Sequence, residues 1–159
     1  MTIHDFDMVK YLSGSEISEL YVKGGCFVDP EIKKANDVDT AVINMTLKNG
    51  VLATINNSRK AVYGYDQRIE VLGSKGILKV PNRLLHNVEK GSKNGFTLSN
   101  PKNFFIDRYK ESYQIEMADF IRSLSGEAVD HAGVEDGLHA LKIGLAANKS
   151  LLQNKPIQL

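Results

Sequence analysis

The sequence has few of the features that mark unusual classes of protein. Its 159 residues include one cysteine, four prolines and no tryptophan, and 20 Lys and Arg balance 19 Asp and Glu. A single cysteine, Cys26, excludes an internal disulfide and suits a reducing compartment. The balanced charge lacks the basic patch that nucleic acid or an anionic membrane surface attracts. We therefore predict a cytoplasmic protein that binds neither nucleic acid nor membrane.

Long apolar runs and targeting signals are also missing. The longest apolar runs, such as residues 143–147, fall far short of the roughly 20 residues that span a bilayer. The acidic N-terminus lacks the basic and apolar regions of a signal peptide. The sequence contains no GxGxxG, GxxxxGK[ST], CxxC, HExxH or GxSxG motif. No single motif therefore indicates a nucleotide, a zinc ion or a serine nucleophile.

The composition that is present is ordinary for a folded protein. Hydrophobic residues make up 42% of the chain and charged residues 25%, which is enough apolar material for a core. The length fits one compact domain and leaves little room for two. We predict a single domain over residues 1–159.

Hydrophobic spacing predicts a helix at the start of the chain and strands after it. Residues 3–12 have near-helical spacing and end at Ser13 and Gly14. Residues 17–28 are mostly β-prone, with Gly24 and Gly25 as a predicted bulge or bend. Residues 40–55 alternate in polarity around Asn49-Gly50, which predicts a hairpin with a type I′ turn.

The second half of the chain predicts another hairpin and two helices. The hairpin covers residues 67–80 around Gly73–Gly76. Residues 82–106 are predicted to form a mobile excursion from the sheet, in which residues 84–88 are compatible with a short strand and residues 91–101 are rich in Gly, Ser, Asn and Lys. One helix carries the apolar positions from Tyr109 to Leu124, and the other those from Val134 to Leu152. The fold class is therefore α+β, an open, mainly antiparallel sheet with helices packed on one face.

The other face of that sheet is predicted to be available for oligomerisation. Val42, Leu52 and Leu72 fall opposite the main alternation, so they would expose apolar surface unless a partner covers it. This favours a homodimer or homotetramer formed through the sheet. The alternative is that these residues are scattered surface hydrophobes.

The first candidate site is the run His4-Asp5-Phe6-Asp7. Histidine titrates near neutral pH and relays protons, and a neighbouring carboxylate can hold its tautomer. The alternative is a partly buried helix histidine, with Asp5 and Asp7 favouring the helix N-terminus. A metal site is disfavoured because residues one and three apart on a helix do not converge on one ion.

The second candidate site is the run from Tyr63 to Arg68. At the start of a strand, Tyr63 and Tyr65 would face the same way, and Gly64 would let another segment or a ligand approach. Such a lining suits a polyol. The alternative is that the tyrosines cover core edges while Arg68 and Glu70 pair with charges on the next strand.

Two further groups lie on the predicted helices. Tyr109 and Tyr113 are four residues apart, a spacing that usually indicates core packing. Glu135 and Asp136 lie in a first helical turn, where the helix dipole favours acids. We interpret the acidic pair as structural.

Taken in order, the segments of this chain resemble one protein family. They are similar to the C-terminal domain of the glucose-fructose oxidoreductase / inositol dehydrogenase / rhizopine catabolism (Gfo/Idh/MocA) family, most of all its inositol dehydrogenase branch. The resemblance spans residues 2 to about 150. It is carried by residues 2–8, 37–41, 49–50, 57–59, 63–68, 70–71, 73–76, 108–109 and 135–137.

The resemblance implies a division of labour between two domains. Members of the family have an N-terminal Rossmann domain that binds NAD or NADP and a C-terminal domain that shapes the substrate site and mediates oligomerisation. This chain resembles only the second. An Asp and a His four residues apart open the first helix of the family's C-terminal domain. His4 matches the histidine, whereas the Asp would fall just before Met1, so we expect a truncated sequence.

Site roles follow from the same resemblance. It implies that His4 is catalytic: it would hydrogen-bond the reacting hydroxyl and help to pass the proton to a lysine of the Rossmann domain. Tyr63 and Tyr65 match positions that line the polyol pocket, and Tyr109 would approach the nicotinamide of the cofactor. No metal is implied.

The expected function is that of a substrate-binding domain of an NAD(P)-dependent oxidoreductase. The enzyme would oxidise a secondary hydroxyl of inositol, or of a related cyclic polyol or sugar, to a ketone, and this chain alone would be inactive. Two alternatives stay open. One is a stand-alone, non-catalytic binding or assembly domain, and the other is a dehydrogenase for a different sugar.

Overall fold

The computed structural model describes residues 2–159, which fold into two compact units. The first unit contains the chain up to Lys60 together with Ala132–Leu159, and the second contains Ala61–His131. Within the described residues, no helix combines the length and apolarity needed to cross a membrane.

The first unit holds three helices and four strands. In chain order they are α1 (Ile3–Ser13), β1 (Ile17–Gly25), α2 (Pro30–Lys34), β2 (Thr40–Leu47), β3 (Leu52–Ser58), α4 (Val134–Gln153) and β8 (Ile157–Gln158). The second unit holds β4 (Ile69–Gly73), β5 (Gly76–Val80), β6 (Lys90–Ser92), β7 (Gly95–Thr97) and α3 (Phe105–Leu124). The predicted α+β class with mainly antiparallel strands is confirmed.

The first unit is built on a four-stranded antiparallel sheet. Its strand order is β3-β2-β1-β8, and the alternation predicted for residues 40–47 is present as buried and exposed positions along β2. The inner face packs against α4, which in turn packs on α1. Core side chains come from both helices and all four strands: Phe6, Ile17, Leu20, Val22, Ile43, Met45, Leu47, Ile55, Ile143, Ala147 and Ile157.

The irregularity in β1 lies at a different position from the predicted one. The register shift in β1 lies between Ile17 and Glu19, whereas Gly24 and Gly25 stay in regular register with β2. A Cβ on Gly24 would lie 2.9 Å from the carbonyl oxygen of Thr40. The glycine therefore permits close strand approach and makes no bulge.

The hairpin at Asn49-Gly50 is confirmed, but its predicted type I′ turn is wrong. That turn needs a positive φ at both central residues, and of this pair only Gly50 has one, at 83°. The amide of Gly50 donates to the carbonyl of Leu47, and the amide of Leu47 donates to the carbonyl of Val51, both at 2.9 Å. The loop is thus three residues long, with a left-handed glycine at its end.

The second unit consists of short ladders and one long helix. The predicted hairpin over residues 67–80 forms as the β4-β5 pair, which is a separate two-stranded sheet. Leu72 lies in that pair, so it does not share a sheet face with Val42 and Leu52 as predicted. Within residues 82–106, β6 and β7 form a small hairpin and Leu84 bridges Pro101. No side chain of α3 is buried.

A buried carboxylate organises one end of the four-stranded sheet. Asp39 is fully buried, and it accepts hydrogen bonds from the backbone amides of Phe27, Val28 and Asp29 at 2.8–3.0 Å. The hydroxyl of Thr40 donates a further bond of 2.9 Å. Burial works to raise the pKa of Asp39, but these donors outweigh it and lower the pKa to about 2. The side chain is therefore held ionised in the interior.

The side chain of Ser150 forms a hydrogen bond with the backbone of β1. Its side chain is fully buried on α4, its Oγ accepts from the amide of Val22 at 3.0 Å and donates to the carbonyl of Lys155 at 2.8 Å. Strand β8 pairs only with Glu19 and Leu20. The serine therefore satisfies a β1 amide that the short strand does not reach.

We expect the Asp39→Asn substitution to lower the melting temperature at neutral pH, because an amide cannot accept all of these bonds. The pKa of Asp39 falls from 3.8 to about 2 on folding, so its contribution is present above 3.8 and is lost as the pH falls toward 2. The melting-temperature difference from wild type should therefore shrink over that window, as followed by circular dichroism.

Asp37→Asn is the matched control for this experiment. Asp37 is exposed and its carboxylate accepts only from the adjacent amide of Val38. A difference for Asp39→Asn that stays constant down to pH 2 would contradict the assignment.

Candidate functional site

His4 lies on the first turn of α1 with its side chain exposed. The predicted alternative of a partly buried histidine is therefore wrong. The start of the helix is held in place by Asn57 of β3: its Oδ1 accepts from the hydroxyl of Thr2 at 2.8 Å, and its Nδ2 donates to Asp5 at 3.1 Å. The helix end that carries His4 is thus attached to the sheet by side-chain hydrogen bonds.

Asp5, one of the carboxylates beside His4, has a partner of its own. Asp5 is engaged by Asn57, and its place in the first turn suits the helix dipole. Across residues 2–159, no group of three or more His, Cys, Asp or Glu side chains is arranged to hold a metal ion. The imidazole of His4 is open to solvent.

Tyr63 lies in a turn and not on a strand, contrary to the prediction. Tyr65 follows in an irregular segment that precedes β4. The two-residue periodicity of a strand therefore does not decide where these side chains point. Tyr63 is about half exposed, at 48%, and its hydroxyl donates to Oδ2 of Asp66.

Tyr65 and Tyr109 come together in the second unit. Their ring centroids lie 5.9 Å apart at 83°, and Tyr109 makes a similar edge contact with Tyr113 at 6.5 Å. Such edge-to-face pairs are favourable because ring edges are positive and ring faces negative. Tyr113 stays 46% exposed, so the predicted core packing of this helical pair is wrong. The three rings form an aromatic row at the surface of the unit.

Gly64 has the role that its position between two tyrosines predicted. Its φ is 136°, and a Cβ there would lie 2.9 Å from the carbonyl oxygen of Pro101. The amide of Tyr65 donates to the carbonyl of Lys102 at 2.8 Å. Another chain segment therefore packs directly on the glycine, and it holds the tyrosine run in place.

Asp66 is the polar centre of this second unit. Arg68 binds it through two hydrogen bonds of 2.7 and 3.0 Å, and Asn82 donates a third of 2.8 Å. The hydrogen bonds from Arg68, with those from Tyr63 and Asn82, outweigh desolvation and lower the pKa of Asp66 to about 2. The predicted alternative, that Arg68 pairs across strands, is wrong, whereas Glu70 does pair with Lys79 on β5 at 2.8 Å.

Asn82 is a residue of this network that no sequence pattern predicted. It lies sixteen residues after Asp66 and follows Pro81 in a segment without regular secondary structure. Nothing local distinguishes it from other loop asparagines, because its role depends on a contact between distant segments.

Strand direction distinguishes the described sheets from a dinucleotide-binding fold. Dinucleotide-binding folds place the cofactor at the end of parallel strands joined by helices. Every ladder within residues 2–159 is antiparallel.

Comparison with known proteins places this domain in a family. The model of the oxidoreductase family, C-terminal alpha/beta domain, matches residues 1–159. The chain belongs to this family. The resemblance to Gfo/Idh/MocA proteins is thereby confirmed.

Individual relatives have names in the inositol dehydrogenase group. The chain is 48% identical over 160 residues to a myo-inositol 2-dehydrogenase of Thermotoga maritima, covering 100% of this chain and 48% of the relative. It also matches the structure of a myo-inositol dehydrogenase from Corynebacterium glutamicum, with 33% identity and a TM-score of 0.93 over 100% of this chain and 48% of the other.

A third match is a complex. It is the scyllo-inositol dehydrogenase of Lactobacillus casei with bound NAD(H) and scyllo-inositol, at 27% identity and a TM-score of 0.87, covering 99% of this chain and 46% of the other. The chain thus spans about half the length of the relatives it matches.

We expect Asn57→Ala to loosen the start of α1. Two side-chain hydrogen bonds are lost, which corresponds to about 1–3 kcal/mol of local stability. Hydrogen exchange at the amides of the first two turns of α1 should become faster. Asn56→Ala is the control, because that side chain is exposed on the opposite face of β3. Equal exchange in the two variants would show that Asn57 does not hold the helix.

Proposed function

We propose that residues 1–159 act as one C-terminal substrate-binding and oligomerisation domain of an NAD(P)-dependent oxidoreductase. The enzyme would oxidise a secondary ring hydroxyl of inositol, or of a related cyclic polyol or sugar, to a ketone. The observation that carries this proposal is the 48% identity, over the whole chain, to a myo-inositol 2-dehydrogenase. Localisation in the cytoplasm fits the single cysteine of the sequence.

His4 is the residue of this chain to which we assign proton chemistry. Its exposed imidazole can hydrogen-bond the reacting hydroxyl and carry its proton toward a base outside this chain. The attachment of α1 through Asn57 limits how far the histidine can move. A bound nicotinamide cofactor supplies the redox chemistry, and we assign the binding of its phosphates to the Rossmann domain of the longer protein.

The tyrosines are assigned to the ligands. Tyr63 and Tyr65 would line the polyol pocket, which the half-exposed side chain of Tyr63 would help to form while the ring of Tyr65 is held by Tyr109. Tyr109 would also lie near the nicotinamide end of the cofactor. Aromatic residues with a polar tip suit a ring polyol, which presents apolar C–H faces and hydroxyl edges.

The outer face of the four-stranded sheet is the surface that we assign to a homodimer or homotetramer. Val42 is 43% exposed and Leu52 78% exposed on this face. Between them lie polar side chains such as Asn44 and Thr54, which hydrogen-bond to each other at 2.9 Å. Interfaces between protein subunits commonly combine apolar contacts with polar ones, as this face would.

A second function is a stand-alone binding or assembly domain without catalysis. The observation that favours it is the absence of any parallel strand pair among residues 2–159, which leaves the chain without its own dinucleotide fold. An in-frame Rossmann domain upstream of this sequence would favour the enzyme. Within the enzyme class, a panel of sugars and inositol stereoisomers would separate the substrates.

We expect the isolated chain not to reduce NAD with myo-inositol, and the longer oxidoreductase to do so. His4→Asn in the longer protein should lower kcat about 10²–10⁴-fold because proton transfer is lost, with a smaller change in KM. His131→Asn is the control, since that side chain is exposed and contacts only a neighbouring carbonyl. Unchanged turnover in His4→Asn would remove His4 from the mechanism.

Light scattering of the chain at micromolar concentration should give the mass of a dimer or tetramer. Leu52→Lys should shift the mass toward the monomer because it places a charge on the proposed interface. Leu72→Lys is the matched control: Leu72 is 81% exposed, close to the 78% of Leu52, but it belongs to the β4-β5 pair. A monomeric mass for the unmodified chain would contradict assembly through the sheet.

A further inference from the structure

We propose that Asp66 is a positioning residue that commits the hydroxyl proton of Tyr63, so that Tyr63 can only accept a hydrogen bond from a bound polyol. The inference rests on the proposed function for the identity of the ligand.

The carboxylate of Asp66 has no acceptor capacity left for a ligand. Its Oδ1 accepts from Nε of Arg68 at 2.7 Å and from Nδ2 of Asn82 at 2.8 Å. Its Oδ2 accepts from Nη2 of Arg68 at 3.0 Å and from the hydroxyl of Tyr63. An ionised carboxylate offers about four acceptor positions, and all four are used. Asp66 can therefore influence a ligand only through a neighbour.

The orientation of the Asn82 amide is independently set. Its Oδ1 accepts from the backbone amide of Gln67 at 2.8 Å, so its Nδ2 faces Asp66 as a donor. Asn82 and Arg68 thus supply three donors to the carboxylate. With its side chain only 16% exposed, Asp66 is a rigid, negatively charged acceptor beside Tyr63.

The direction of the bond between Tyr63 and Asp66 follows from this charge. A carboxylate held ionised has no proton to give, so the phenol must be the donor. The pKa of Asp66, lowered to about 2, is consistent with ionisation at neutral pH. The hydrogen bond to Asp66 in turn raises the pKa of Tyr63. The phenol therefore stays protonated, with its one proton directed at Asp66.

The direction of the Tyr63 proton sets a donor rule for the ligand: the ligand group that meets Tyr63 must be a hydrogen-bond donor. A hydroxyl that meets Tyr63 must donate its own proton to the phenol oxygen. An ether oxygen or a fluorine at that position of the ring has no proton to donate, so it would lose the contact. With Asp66→Asn, the new amide can donate to the phenol oxygen instead, which releases the Tyr63 proton toward the ligand.

The first test needs only this chain. With ¹³C-labelled tyrosine, the titration of the Tyr63 ring is identified by its loss in Tyr63→Phe. We expect Asp66→Asn to move that titration to lower pH, because both the acceptor and its negative charge are removed. Glu70→Gln is the matched control: it neutralises an exposed carboxylate that pairs with Lys79 in the same unit. A Tyr63 titration that Asp66→Asn leaves unmoved would overturn the proposal.

A reciprocal measurement covers the case in which Asp66→Asn fails to fold. In Tyr63→Phe, which changes a half-exposed side chain, the Asp66 carboxyl carbon should titrate at higher pH than in wild type because one donor is gone. An unchanged Asp66 titration would show that the phenol does not donate to it, and would overturn the proposal equally.

The second test uses the longer oxidoreductase and the monofluoro-deoxy analogues of myo-inositol. Fluorine at the ring position that meets Tyr63 should raise KM about two- to tenfold, because one hydrogen bond is lost. Asp66→Asn should reduce the ratio of the KM for that fluoro analogue to the KM for myo-inositol. Glu70→Gln should leave this ratio unchanged. A ratio that Asp66→Asn does not change would refute the donor rule. If the enzyme ignored inositol altogether, the proposed function would fail, while the tyrosine titration would still decide the role of Asp66.

Discussion

The buried carboxylate of Asp39 is the interaction on which the geometry of the first unit depends. Besides the amides it binds through its side chain, its own backbone accepts from the amide of Arg59 at 2.9 Å and donates to the carbonyl of Gly25 at 3.2 Å. One residue therefore connects the ends of β1, β2 and β3. Asn57, which holds the start of α1, lies on β3 two residues before Arg59, which directly follows that strand. The start of α1, which carries His4, is thus attached to the strand whose end is bound by the backbone of Asp39.

The two units are stabilised by different physical means. The first unit has a continuous apolar core between its sheet and two helices, so hydrophobic burial dominates. The second unit has short ladders and a helix with no buried side chain. Its tyrosines are oriented by the hydrogen bonds around Asp66 and by ring contacts with Tyr109. Orientation by directional bonds suits the polyol-binding role proposed for these tyrosines, because such bonds depend on donor and acceptor identity.

Local patterns in the sequence predicted a helix or strand correctly wherever its apolar residues kept one periodicity along the whole element. The first helix, the hairpin around Asn49-Gly50, the hairpin around Gly73–Gly76 and the last two helices are all present. Errors arose where the same residues were compatible with two local backbone conformations. Gly24 was compatible with a bulge or with close strand approach, and Asn49-Gly50 with a two- or a three-residue loop. The strand β8 was missed because two residues carry no periodic signal.

The sequence by itself determined the α+β class, the family, and the residue types of the candidate site, because helical and strand periodicity and motif order are local properties. Only the tertiary structure decided that Tyr63 lies in a turn, that Asn82 completes the Asp66 network, and that the β4-β5 hairpin forms its own sheet. These features depend on contacts between segments far apart in the chain. Whether a polar side chain donates, accepts or faces solvent is decided by the partner that folding brings to it.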